Sequence, residues 1–267
     1  KSLATGTTFG EISGSTLKSL EFQIPPLPEQ KAIASVLSSL DDKIDLLHRQ
    51  NQTLEQMAQA LYGNWISAFD FNSTLKDIIK IQNGYAFKSK DFKSNGVHRV
   101  IKIKNISSNI VDINSTDFVS DDIISKTDKR FKINSGDVLI AMTGAEIGKM
   151  GIVPQTNESL WLNQRVGLLK EKLLGSRFLA YLHLKSDYGL DYIENTATGS
   201  AQPNISGTGI ENCEFPKLSK KQLELYSKQL NLIFNKIIFN LGQIRILEKL
   251  RDTLLPKLTS GEVRIRI

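Results

Sequence analysis

Two stretches of the chain repeat apolar residues in steps of three and four over more than four heptads. In the first, Ile33, Leu37, Leu40, Ile44, Leu47, Leu54, Ala58 and Leu61 form one stripe, and Asn51 is its only polar member. In the second, Leu223, Tyr226, Leu230, Ile233, Ile237, Ile244, Leu247, Leu254 and Leu258 do the same, with Asn240 and Arg251 as polar exceptions. Spacing that averages 3.5 residues keeps a narrow stripe facing a partner helix, so both read as coiled-coil seams, and a lone asparagine in a seam fixes register. The predicted helices run over 27–64 and 219–259. Pro25, Pro26 and Pro28 sit where a first helical turn tolerates proline, while Pro256 interrupts the second helix near its end. At ~1.5 Å per residue each helix reaches about 50 Å. Matching lengths on either side of a compact region predict an antiparallel pair with that region as a head.

The region between, 65–218, loses the helical period. "VHRVIKIKNIS" (97–107) alternates and reads as a strand, and "GDVLIAMTG" (136–144) as a buried strand entering a turn. "LWLNQRVGLLKE" (160–171) reads as a strand pair or one bent strand, and "SRFLAYLHLKS" (176–186) as a helix. The fold class expected is α+β: one domain with a mixed or antiparallel sheet, flanked by two long helices pairing as an antiparallel coiled coil.

An internal repeat overlies this plan. "ATGTTFGEISG" (4–14) returns as "ATGSAQPNISG" (197–207), offset by 193 residues, and at that offset Glu21-Phe22 faces Glu214-Phe215, Lys43-Ile44 faces Lys236-Ile237, and Leu54 faces Leu247. Each copy runs from a polar loop to a short strand, a proline and a long helix. A supersecondary unit is duplicated, at a period far too long for a solenoid. Residues 1–26 thus match the closing end, 194–216, of the region 65–218, a match that the family resemblance below reads as the end of a first domain, and 260–267 read as a tail.

Composition adds a partner class. A 40% hydrophobic share over 267 residues suits one large or two ordinary globular domains. No run of eighteen apolar residues is present, no secretory leader opens the sequence, and the lone Cys213 has no internal partner, so a reducing, cytoplasmic setting is expected. The sequence begins at Lys1, as a part of a longer protein would. Net charge is +6, and the stretch 73–110 holds all of that excess: eight cations, including Lys80, Lys88, Lys90, Lys93, Lys102 and Lys104, against two aspartates. Tyr85, Phe87 and Phe92 lie among them. Clustered cations of this kind favour a phosphate backbone.

Catalytic patterns fare worse. "TGAEIGK" (143–149) is one residue short of a phosphate-binding loop, and Met150 stands where a magnesium-holding hydroxyl belongs, so a tight turn is expected. His48, His98 and His183 are too scattered to make a zinc site with Cys213. "DFK" (91–93) and "DDK" (41–43) lack a second placed carboxylate. No Gly-rich nucleotide or S-adenosylmethionine loop opens a strand–helix unit. The sequence reads as a binder with no metal and no catalytic group of its own; a coiled-coil adaptor or dimerisation remnant without specific DNA reading is the other reading.

"IPPLPEQKAIASVLSSLDDKIDLL" and "LLPKLTSGEVRI", with "NGYAFKSKDF", "GDVLIAMTGAEIGKMGIV", "LNQRVG" and "TGSAQPNISG" between them, resemble the DNA-specificity subunit of type I restriction–modification enzymes. That resemblance covers nearly the whole chain. It implies a target recognition domain at 65–218, most of a first such domain missing, and a non-catalytic role in reading a split DNA sequence with the helices as a ruler. Partner modification subunits would supply S-adenosylmethionine and methylate adenine, and restriction subunits would use ATP and Mg; two copies pairing through the helices would read a palindromic site. Phosphate contacts are expected from Lys88, Lys90, Lys93, Lys102 and Lys104, with Thr143 and Lys149 in the turn. Asn163, Gln164 and Arg165, and Gln202 with Asn204, are the candidates for base edges.

Overall fold

The structure, a computed structural model, describes residues 12–20, 24–107, 109–199 and 202–265. It divides into two compact units, Lys1–Asp45 with Ile246–Ile267, and Leu46–Arg245. The two long helices are α2, Leu27–Ile66, and α7, Lys220–Thr259. Each contributes to both units.

In the smaller unit the two helix segments run antiparallel. Arg251 of α7 pairs with Asp41 at 3.0 Å and Arg264, just past the end of α7, with Glu29 at 2.7 Å, so partners advance along one segment as they retreat along the other. Of the predicted seam, Ile33 and Ile44 are buried, as is Leu258; Leu37, Leu40, Leu247 and Leu254 are half-buried. Arg251, polar in the seam pattern, lies at its edge, where the exposed pair with Asp41 contributes little stability. This unit also holds α1, Gly14–Lys18, one helical turn capped by Ser13, whose side chain accepts from Thr16 N. The sequence pattern did not predict this turn. The repeated Glu21-Phe22 pair lies outside the described residues.

The larger unit contains the other half of each helix. Leu47, Ala58, Tyr62 and Ile66 are buried on α2, and Leu230, Ile237 and Ile244 on α7, with Leu54 and Ile233 half-buried. Trp65 stacks on Tyr226 at 4.2 Å. The two polar seam residues meet: Asn240 Nδ2 donates to Asn51 Oδ1 at 2.9 Å, in a buried site. Register is thereby tied to one pairing, since any slip leaves two buried amides unmatched. Asn240→Leu alone is expected to destabilise by about 1–3 kcal/mol, because Asn51 is left without its partner. The double variant N51L/N240L should recover most of that loss. Urea unfolding of the four forms checks this; a single variant no worse than the double would refute the coupling.

On α7 the buried stripe is wider than the seam, taking in Phe234, Ile238 and Leu241. A second partner explains it. Helix α4, Ser176–Lys185, lies on that face with Phe178 stacked on Phe234 at 4.3 Å and Tyr181 edge-on at 5.6 Å.

The domain is built on two larger sheets and a two-stranded pair, where the sequence suggested one sheet. A four-stranded sheet has the order β6 (Asp117–Val119), β3 (His98–Ile101), β10 (Ser159–Leu162), β7 (Lys132–Ile133), with β3 and β10 parallel. A six-stranded sheet has the order β2 (Ile79–Asn83), β11 (Val166–Glu171), β8 (Val138–Ala141), β9 (Met150–Ile152), β5 (Asn109–Val111), β4 (Ile106–Ser107), parallel only at β5–β9. Ile101, Ile133, Leu160 and Leu162 from the first sheet interlock with Val111, Leu139, Ala141, Val166 and Leu168 from the second. Alternate residues of the same strands, Val100 and Trp161, point the other way into a smaller cluster with Phe87, Val119 and Phe131. The small sheet is buried on both faces.

The expected strand over 97–107 is broken. β3 ends at Ile101, a turn of 3₁₀ helix follows at Ile103–Asn105, and β4 joins the other sheet. The buried Asn105 side chain forces the corner by accepting from Lys102 N at 2.9 Å and donating to Ser115 O at 3.1 Å. Residues 160–171 divide likewise, β10 in one sheet and β11 in the other. The helix expected at 176–186 is α4, followed by α5, Asp187–Thr196, which the sequence reading passed over. The domain closes on itself when β12, Glu214–Phe215, pairs with β1, Ser73–Thr74.

Candidate nucleic-acid interface

Where β10 crosses to β11, residues 163–165 make a tight connection: Val166 N donates to Asn163 O at 3.0 Å. Two more loops are laced to it by backbone bonds. Met142 N donates to Arg165 O, Gly144 N to Pro203 O, and Ile205 N to Met142 O, at 3.1, 2.8 and 3.0 Å. Thr198 and Asn204 exchange backbone bonds with each other at 2.8 and 2.9 Å, closing the 198–204 loop. Gly144 takes φ +78° at the turn, a left-handed conformation that glycine adopts without strain.

These loops surround a cleft of about 380 Å³ lined by Asn83, Thr143, Gln164, Arg165, Gln202, Asn204 and Ser206, with Met142 and Ile205 as its apolar floor. Five of the sequence candidates therefore converge from three segments. Four side-chain amides, two hydroxyls and one guanidinium line the space, with no carboxylate among the described lining residues. Amides can meet adenine edges bidentately and guanidinium can meet guanine, so the group set has the chemistry to address base edges. Asn163 stands apart: its backbone N donates to Ile101 O at 3.1 Å and its Oδ1 is buried without a hydrogen-bond partner among the described residues. Its surroundings are structural.

Two cleft residues, Asn83 and Ser206, were missed by sequence reasoning. Asn83 ends β2 just before Gly84, an Asn-Gly pair that signals a turn. Ser206 caps α6, Gly207–Glu211, accepting from Gly209 N at 2.9 Å. Helix α6 lies against β2, where Glu211 Oε1 accepts from Ile81 N at 2.7 Å. The repeat would have found Ser206, since it stands 193 residues after Ser13, and α1 and α6 occupy the same offset. The capped turn is thus part of the duplication. Its buried residues in the second copy, Ile205 and Ile210, correspond to Ile12 and to position 17, where Leu17 is 55% exposed.

The basic residues are unequal. Lys88, Lys90 and Lys93 are exposed around a short 3₁₀ turn. Lys102 lies 2.9 Å from Asp117 and over the Phe92 ring at 3.2 Å, and Lys104 lies 3.1 Å from the same carboxylate. The Lys102 ammonium, with Lys104 behind it, holds the Asp117 carboxyl below its usual range. Lys149 pairs with Glu146 one turn away. These three cations are already partly neutralised. His98 bridges its cross-strand neighbour Ser159 (2.8 Å) and Asp121 (2.7 Å), the first residue of α3, Asp121–Ser125, a clamp on the small sheet. His48 is exposed on α2, and His183 is buried away from the cleft.

The chain matches the type I restriction modification DNA specificity domain over residues 1–56 and 70–243. It belongs to that family. Among curated relatives, it is 28% identical over 291 residues to the type I restriction enzyme MjaIX specificity subunit of Methanocaldococcus jannaschii, covering 99% of this chain and 66% of the relative. It is 23% identical over 330 residues to the HindI specificity subunit of Haemophilus influenzae, covering 96% and 72%. The chain thus spans about two thirds of the length of such relatives. The fold is similar to the crystal structure of a type I restriction–modification S subunit from M. genitalium, with TM-score 0.58 at 20% identity over 96% of this chain and 68% of that one. The α+β class with its mixed sheets agrees with that fold. Among the described residues, no helix of this family member is long and apolar enough to cross a membrane.

Proposed function

We propose that the chain reads double-stranded DNA by sequence as a type I specificity subunit, with Gln164, Arg165, Gln202 and Asn204 addressing base edges from the cleft. One observation carries the proposal: three chain segments, distant in sequence, bring amides and a guanidinium into one cleft with no carboxylate among its described lining residues. The chain itself supplies binding and no catalysis. Modification subunits would bring S-adenosylmethionine to a flipped adenine, and a restriction subunit would bring ATP, Mg and cleavage. Such a complex works in the cytoplasm.

The test is methylome sequencing of cells expressing this chain with its cognate modification subunit. A new methylated motif in two parts is expected, and a palindromic one would mark two copies acting through their helices. Arg165→Ala is expected to weaken binding to the matched duplex by roughly 10- to 100-fold, the worth of one bidentate base contact, and to relax one position of the motif. No new methylation from a soluble, assembled complex would overturn the proposal. An adaptor role has one observation in its favour: Leu225, Leu232 and Phe239, seven residues apart on α7, are 51%, 65% and 44% exposed. That reading predicts partner binding with no sequence preference on DNA.

A further inference from the structure

Beyond Asn83 lies a second cleft of about 380 Å³, lined by Lys80, Gln82, Asn83, Arg130 and Lys170 among others, with three cations and no carboxylate among the described lining residues. Lys80 and Lys170 are directly opposed across the antiparallel β2–β11 pair. Such residues leave the same face of the sheet with their Cβ atoms about 5 Å apart, and like charges so placed work against the strand pairing. Both side chains are exposed. Arg130 faces them from the turn at Lys129–Phe131, its guanidinium over the Phe131 ring at 4.6 Å and 3.5 Å from the exposed Asp128. Gln82 Nε2 donates to Arg130 O at 2.5 Å and holds that turn against β2. Lys129 and Lys132 line an adjoining cleft, which also contains Asp137 and Glu171.

An arrangement that costs strand stability in the free protein is relieved by an anion lying between the two ammonium groups. Asn83, the last residue of β2, lines both clefts; its side chain leaves the α6 face with Ile81 while Lys80 leaves the other, so the two clefts meet at the end of that edge strand. We infer that Lys80, Lys170 and Arg130 form a phosphodiester track that seats the DNA backbone beside the reading cleft. The inference rests on the DNA-reading function proposed above and identifies which cations position the duplex. It shifts that task away from Lys102, Lys104 and Lys149, whose charges Asp117 and Glu146 already engage.

The experiment compares the full chain with K80Q/R130Q/K170Q, K80R/K170R and K102Q/K104Q, by anisotropy on a matched and a random duplex over a salt series. Each phosphate contact contributes about 0.9 to the slope of log affinity against log salt, so the triple variant should lose about 2–3 of slope. Its affinity for both duplexes should fall by the same factor, leaving discrimination unchanged. K80R/K170R should keep the slope, and K102Q/K104Q should lose less than about 1. The thermal midpoint of the triple variant at low salt should match or exceed that of the parent, as repulsion is removed; a lower midpoint marks a structural role and overturns the inference. An unchanged slope in the triple variant overturns it while DNA reading stands. Absence of salt-dependent duplex binding by the parent chain overturns the reading and the track together.

Discussion

Replacing Gly84 with alanine is expected to cost at least about 3 kcal/mol of stability and to abolish DNA binding with it. Gly84 lies where β2 passes over the crossing from β10 to β11. A Cβ there would stand 2.6 Å from Leu162 O and closer still to the Asn163 carbonyl. Both obstacles are backbone, so no side-chain rotation relieves the clash. Retreat of the 82–85 segment would break the 2.8 Å bond from Tyr85 N to Leu162 O and move Asn83 away from Gln164 and Arg165. Gly144 supplies the control: its φ is +78° but nothing lies within 4 Å of its Cβ position. Gly144→Ala should therefore cost only the left-handed strain, about 1 kcal/mol. Chemical denaturation and duplex binding of the two variants decide the matter. Equal stabilities would show that the close approach at Gly84 is not what shapes the cleft.

Stability should also fall by roughly 3 kcal/mol between pH 7 and pH 4 through one histidine alone. His183 is fully buried on α4, and burial pushes its pKa down to about 4. Its Nε2 must carry the proton, because it donates to the carbonyl of Glu214 at 2.7 Å; Nδ1 then accepts from the Tyr62 hydroxyl at 2.5 Å. Burial likewise raises the Tyr62 phenol far above its ordinary range, so it stays a donor. The folded pKa lies below the unfolded value, so between about 6.5 and 4 the unfolded chain binds the extra proton. The stabilising contribution is complete above that window and is lost as pH falls through it. His183 joins α2, α4 and the closing strand β12, so its protonation loosens all three from one another. The readout is the stability difference between the parent and His183→Gln as a function of pH, which removes the carboxylates common to both. That difference should shrink in favour of the variant below pH 6.5; a constant difference would mean His183 titrates normally.

The periodic parts of this molecule could be read from the chain. A heptad stripe is local information, and so is a repeat: the seams of α2 and α7 and the antiparallel pairing of equal helices follow from spacing and order, while the family resemblance rested on the particular motifs around them. Even the meeting of Asn51 with Asn240 is implicit in two stripes with one asparagine each. Gln164, Arg165, Gln202 and Asn204 could be singled out because amides and arginine in polar loops suit base edges whatever the fold.

What joined them could not be read so. The broken strand at 97–107 depends on Asn105 finding Lys102 N and Ser115 O, a bond set by the turn and invisible to alternation. The extra buried face of α7 depends on α4 arriving there. The neutralisation of Lys102 and Lys104 depends on Asp117, which lies on a neighbouring strand. Lys80 and Lys170, 90 residues apart, face each other only because β2 and β11 pair in one register. A sequence states which side chains exist and which neighbours share a helix face or a strand face. Which charges are paired, and which groups stand around one cleft, is settled by strand pairing between distant segments, where a shift of one residue turns every side chain to the opposite face.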